Sequence, residues 1–230
     1  ISFSYKAGEK VLEDVSLEIK PGEIISITGD YGAGKEALLK LIAGIYPPDI
    51  GTIEVDGVSP HTYTSEALVD HIGYLPETGI IFHGTVAENL SRFGRVPEER
   101  MKEIAGLLSL DKDILVMPAG YDTKLEGTNA DTIPPGLRQR IAMARVLASK
   151  PRVLLFNNAD RALDKEGYNC MYRLLARLKG RVTMILVSND QNIQRLADTH
   201  YVLENANLKR GYGTEEPMLH RVQAYQEMRL

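Results

Sequence analysis

The stretch EIISITGDYGAGKEALLKLIAG, residues 23–44, limits what this chain can fold into more than any other. Its apolar, β-branched start predicts a buried strand, and the periodic apolar residues after Lys35 predict a helix. Between them Gly29 and Gly34 frame Asp30, Tyr31, Gly32 and Ala33, and Lys35 follows at once. Strand, glycine loop and helix in that order open a parallel α/β unit. The glycines let the backbone turn tightly and bring its N–H groups against phosphate oxygens. The helix N-terminus adds partial positive charge and Lys35 a full one. A tight turn with an incidental lysine is the competing reading, and the flanking strand and helix favour the phosphate loop over it.

The rest of the chain extends that unit. ISFSY and VSLEI, joined by the turn-prone KAGEK, read as strands ahead of it, and GTIEVDG and HIGYLPE as short strands after it. From GTVAENL to LASK the pattern is mostly helical, with apolar residues three and four apart in PEERMKEIAGLLSL and PPGLRQRIAMARVLASK. RVLLF with DKEGYNCMYRLLARLKG and RVTMILVS with QNIQRLADTH are two further strand–helix units, and YVLEN is a last strand. The expected fold is α/β, with a mostly parallel sheet, a small antiparallel β region and a helical subdomain. Residues 1–77 and 151–213 are expected to form the α/β core, 78–150 the helical part, and 214–230 a C-terminal helical tail. Met218, Leu219 and Val222 are expected on one side of that tail, to pack on the core or, as the alternative, to meet a partner.

Composition excludes some functions. A net charge of −4 over 230 residues carries no nucleic-acid footprint, which is normally basic. Cys170 is the only cysteine, so an intramolecular disulfide is impossible and a reducing compartment is expected. His61, His71, His83, His200 and His220 show no metal-ligand spacing. No apolar run approaches the ~18 residues that a membrane-spanning helix requires. The chain begins at Ile1, inside strand-like ISFSY, as a piece of a longer polypeptide would, so a membrane region is expected outside it.

A set of motifs follows in order: FSY, GDYGAGKEA, HIGYLPE, GTVAENL, PPGLRQRIAMAR, VLLFNNADRALD, SNDQNIQRLAD and VLENANL. Together they resemble the nucleotide-binding domain of an ABC transporter, from Phe3 to about Gly213. GTVAENLSRFG with MPAGYDT is most similar to exporters, particularly the type I protein-secretion ATPases of bacteria. The resemblance implies an ABC-type phosphate-loop fold with ATP and Mg²⁺ as cofactors. It also implies a transmembrane domain, in the same parent chain, and a head-to-tail homo- or heterodimer with another nucleotide-binding domain. Its place would be the cytoplasmic face of the bacterial inner membrane. Gly29 through Ala37 would hold the triphosphate, and Tyr5 would stack on adenine, core packing being the alternative for that ring. Asp164 would belong to the loop that communicates across the dimer, and GTVAENL would meet the transmembrane partner.

The pattern breaks at the chemistry. Glu36 stands where the family has a Ser or Thr that binds Mg²⁺. A carboxylate can ligate the metal, but it repels triphosphate oxygens; alternatively it complements the helix dipole and pairs with Lys35. Asn157 replaces the Asp that holds Mg²⁺, and Asn158 the Glu that polarises the attacking water. Asn189 replaces a His that contacts the γ-phosphate, and Glu77 a Gln that contacts metal and water. The signature LSGGQ is here Ile133, Pro134, Pro135, Gly136 and Leu137, with no hydroxyl and with two prolines that lack N–H donors. Proline is comfortable at a helix start, so the helix is expected to survive while its phosphate contact does not. The expectation is an exporter domain with weakened ATP binding and little or no hydrolysis, in a structural or regulatory role. The alternative is an active ATPase using Glu36 as metal ligand and Glu77 as base. A non-transport relative acting in DNA maintenance or translation is disfavoured by the acidic balance and by GTVAENL.

Overall fold

The apolar runs become the middle of one sheet. The computed structural model describes residues 1–6, 8–127 and 133–211. Their elements are β1 (Phe3–Ser4), β2 (Lys10–Leu12), β3 (Ile24–Thr28), α1 (Lys35–Ile42), α2 (Ser65–His71), β4 (Ile72–Leu75), β5 (Gly84–Thr85), α3 (Val86–Ser91) and α4 (Glu98–Leu107). Then come α5 (Leu110–Leu115), β6 (Lys124–Leu125), α6 (Pro135–Ala148), β7 (Val153–Asn157), α7 (Lys165–Leu178), β8 (Thr183–Val187), α8 (Gln191–Gln194), β9 (Thr199–Glu204) and β10 (Asn207–Arg210). Among these residues a six-stranded sheet has the order β10-β9-β3-β8-β7-β4. It is parallel except where β10 lies antiparallel to β9. The pairs β1–β2 and β5–β6 form two small antiparallel sheets. The expected fold class is the observed one.

The central strands are apolar almost throughout because both their faces are covered. In β7, Leu154 and Phe156 join a buried cluster that continues through Val86, Ile104, Leu108 and Ile141 of the helical region. Leu155 points the other way, into a second cluster with Leu38, Leu39 and Leu41 of α1. Strand β8 divides likewise, Met184 and Leu186 on the first face, Ile185 and Val187 on the second.

Two expected strands are not strands. VSLEI is extended, with Val15 buried and its polar neighbours Ser16 and Glu18 exposed, but it joins no ladder; the partner of β1 is instead Lys10–Leu12. GTIEVDG contributes only an isolated bridge between Val55 and Val58. The C-terminal tail, with Met218, Leu219, Val222 and His220, lies outside the described residues.

GTVAENL starts α3 by a capping box. The Thr85 N–H donates to Glu88 Oε2 at 2.7 Å, and the Glu88 N–H to Thr85 Oγ1 at 3.0 Å. Asn89, fully buried one residue on, clamps the preceding loop. Its Oδ1 accepts from the Phe82 N–H at 2.9 Å, and its Nδ2 donates to the carbonyls of Phe82 at 2.9 Å and Thr85 at 3.0 Å. Asn89→Ala strands these buried groups and is expected to cost ~3 kcal/mol, read as a melting temperature lower by ~6–12 °C. A melt unchanged to within ~2 °C would show that solvent takes over the clamp.

Candidate functional site

Strands β3, β8, β7 and β4 are parallel neighbours, so their carboxyl ends open on one edge of the sheet, where α/β folds place their ligands. The glycine loop follows β3, Asn158 follows β7, Asn189 lies just beyond β8, and Glu77 just beyond β4. All of them except Asp30 of the loop, with Tyr5, line a single cavity of about 380 Å³. The structure therefore gathers the phosphate-loop residues other than Asp30 with Glu36, Asn157, Asn158, Asn189 and Glu77 in one place.

The loop curls round its own lysine. Lys35 Nζ donates to the carbonyls of Gly29 at 2.7 Å and Asp30 at 2.6 Å. Burial lowers the Lys35 pKa; Asp30 opposes that shift and the nearby charge of Arg161 adds to it. Gly34 caps α1 with φ 101°, and Ala37 and Leu38 of the first turn are buried under the loop. Tyr31, at the loop's tip, is fully exposed. Tyr5 is 52% exposed, which leaves one side of the ring open; its packed side meets Phe3 at 5.1 Å and Tyr46 at 5.7 Å, edge-on in both cases.

Glu36 does not pair with Lys35, contrary to expectation. It reaches one turn along α1 to Lys40 Nζ at 2.8 Å, the ordinary i,i+4 geometry, because Lys35 is turned into the loop. Asn157 is buried, donating from Nδ2 to the Tyr74 hydroxyl at 3.1 Å and accepting at Oδ1 from Asn158 Nδ2 at 3.3 Å. Asn158 adopts φ 48°, its N–H bonded to the Val187 carbonyl at 2.7 Å. The carboxyl end of β7 thus presents two linked amides.

Arg161 went unnoticed in the sequence. It lines the same cavity, and its Nη1 meets Glu77 Oε1 at 2.7 Å. That contact raises the guanidinium's pKa. Its signal was available: a lone cation in the turn after the strand that ends in the two asparagines. Asp160 next to it is partly buried, accepts from Ser188 Oγ at 3.1 Å, and has its pKa pushed up chiefly by burial.

The signature residues lie elsewhere. Pro134 precedes α6 and Pro135 is its first residue, as proline's fixed φ favours. Ile133 to Leu137 do not line the cavity. Gly136 packs beside the turn before α7, where an added Cβ would lie 3.3 Å from the Ala162 carbonyl oxygen. Asp164 caps α7, accepting from the Gly167 N–H at 2.7 Å, and also lies outside the cavity.

The donor set does not fit Mg²⁺. Among the described residues no group of three His, Cys, Asp or Glu could hold a metal. At the cavity Glu36 is engaged by Lys40, Glu77 by Arg161, and Asn157 offers a neutral amide already bonded to Asn158. The loop, by contrast, fits a phosphate: glycine backbone, an ammonium and a helix N-terminus converge there.

A profile of the family described as ABC transporter matches residues 12–160, more than half of the chain. The chain belongs to the ABC transporter family. Among curated relatives of this ABC domain, the ATP-dependent lipid A-core flippase of Burkholderia pseudomallei is 32% identical over 240 residues, covering 99% of this chain and 40% of the flippase. ATP-binding cassette sub-family B member 6 of Xenopus tropicalis is 31% identical over 221 residues, 95% of this chain and 26% of that protein. A solved bacterial Atm1-family ABC exporter with ATP bound matches with a TM-score of 0.85 at 26% identity, over 99% of this chain and 41% of that one. The ABC domain described here therefore spans well under half the length of these relatives.

Proposed function

We propose that this is the nucleotide-binding domain of an ABC exporter in which ATP is held, though weakly, and hydrolysed little or not at all, so that its role beside a transmembrane partner is structural or regulatory. One observation carries the reading: the linked amides of Asn157 and Asn158 stand at the strand end where the family's metal-holding and water-polarising carboxylates belong. An amide accepts no proton, and loss of a general base costs ~10²–10⁴-fold in rate. The candidate substitutes are both engaged, Glu77 by Arg161 and Glu36 by Lys40, so active turnover would have to break an ion pair first. Retained nucleotide binding is supported by the loop, Lys35 and the open face of Tyr5.

The exporter reading is supported by the flippase and Atm1-family likenesses. The narrower reading as a type I secretion ATPase rests on GTVAENL and MPAGYDT alone. In the proposed assembly the core of residues 1–77 and 151–213 binds the nucleotide, and the helical part, 78–150, faces the membrane domain at the cytoplasmic side. A largely apolar hollow of about 470 Å³, lined by Ile45, Val69 and the exposed rings of Phe82 and Phe93, supports docking there. In a head-to-tail dimer Pro134 and Pro135 would oppose the partner's loop without N–H donors, and Asp164 would lie at the junction.

Calorimetric titration with ATP, with phosphate release assayed on the same samples, tests this. The expected result is binding in the micromolar range, lost on Lys35→Ala, with phosphate release no faster than in a blank. Mg²⁺-dependent turnover that Lys35→Ala abolishes would show instead that the active reading is correct.

A further inference from the structure

We infer that the nucleotide site is built for a nucleoside triphosphate free of divalent metal, with Arg161 and Lys35 together taking the place of the cation. The inference rests on the nucleotide-binding reading above and adds the ionic form of the ligand. It starts from the mismatch between a cavity that fits phosphate and side-chain donors toward Mg²⁺ that are each already engaged, Glu36 by Lys40, Glu77 by Arg161 and Asn157 by Asn158.

A metal-bound triphosphate arrives with part of its charge neutralised. A bare one leaves all of that charge to the protein, so carboxylates at the strand ends become a liability and fixed cations an advantage. The cavity follows the second specification. Asn157 and Asn158 are neutral, and the two carboxylates that line the cavity, Glu36 and Glu77, are each paired with a cation, Lys40 and Arg161. Arg161 lies in the cavity wall, which among the described residues carries no lysine besides Lys35. Guanidinium is suited to the task, being permanently charged and able to hold phosphate oxygens in a two-pronged contact.

Lys35 and Arg161 are near enough that the charge of one opposes protonation of the other. Two like charges set toward one cavity are relieved by an anion between them. Glu77 supplies a counter-ion to Arg161 at 2.7 Å while no phosphate is there, and both side chains are roughly half exposed, so the exchange of carboxylate for phosphate needs no refolding.

The test is ATP titration of the unaltered chain in Mg²⁺ and in EDTA, repeated with Arg161→Ala and Glu77→Gln. Affinity in EDTA is expected to equal or exceed that in Mg²⁺. Arg161→Ala is expected to weaken binding in EDTA by at least ~10-fold, the loss of about one charge-assisted hydrogen bond. Glu77→Gln, which releases Arg161, is expected to tighten it. Binding at least ~10-fold tighter in Mg²⁺, or Arg161→Ala binding like its parent, overturns the metal-free site and leaves nucleotide binding intact. ATP binding in neither buffer, by a chain with a normal melt, overturns both. The comparison of buffers needs no variant and stands even if Arg161→Ala folds poorly.

Discussion

Five changes made together, Glu36→Ser, Asn157→Asp, Asn158→Glu, Pro134→Ser and Pro135→Gly, are expected to raise Mg²⁺-dependent phosphate release by ~10²-fold or more over the unaltered chain. Each acts on a different deficiency. The first two return a hydroxyl and a carboxylate to the metal's place, the third returns a base at the strand end, and the last two return a hydroxyl and two backbone N–H groups to the start of α6. Asn158→Glu alone is expected to gain less than ~10-fold, because groups that act as a unit in catalysis are strongly non-additive. A carboxylate without a positioned metal and water has nothing to deprotonate. The measurement is phosphate release at saturating ATP, with melts to establish that the variants fold. The proposal of slow turnover is lost if the unaltered chain already matches the five-fold variant. It is lost equally if the full set binds ATP as before and gains nothing.

The fold was readable because its central strands carry their burial in their composition. β3, β7 and β8 are short apolar runs ending in polar or glycine residues, and a strand covered on both faces has little choice of composition. VSLEI and GTIEVDG misled for the complementary reason. Val15 is buried between exposed neighbours, and Ile53 and Val55 alternate likewise with Thr52 and Glu54, so their side chains behave as those of strands do. Alternation reports which way a side chain faces, whereas a strand also needs a hydrogen-bonding partner, and that partner is set by the rest of the chain. Two-residue β5 and β6 carry no periodicity at all. At the site, the positions that lost their usual residue could be read by alignment with the family order. Arg161 shows in the sequence only as a lone cation in the turn after β7, which does not by itself place it at the site. Only the closing of β4 and β7 against each other brings it to Glu77, across 84 positions of sequence.

Gly29→Ala is expected to destabilise the chain by more than ~4 kcal/mol and to lower its melting temperature by at least ~8 °C. A Cβ at residue 29 would lie 2.2 Å from the Leu203 carbonyl oxygen, at a φ of +140° that side chains rarely adopt. That carbonyl belongs to β9, which is held in register by β3 on one side and β10 on the other, so it cannot retreat without breaking a ladder. Gly32→Ala is the control. Its φ is +80° but nothing lies within 4 Å, so only backbone strain of ~1–2 kcal/mol is expected. A pair of melts distinguishes the two, and equal melts would mean that the approach of the loop to β9 is not needed. The contrast bears on function. A glycine required by the packing of β9 is kept whether or not phosphate ever enters the loop, so Gly29 is weak evidence for nucleotide binding. Among the described residues, the Lys35 ammonium bonds only to carbonyls of its own loop. Lys35→Ala should therefore leave the melt nearly unchanged while abolishing ATP binding, and it is that separation of stability from affinity which would distinguish a working phosphate site from a loop retained for the fold.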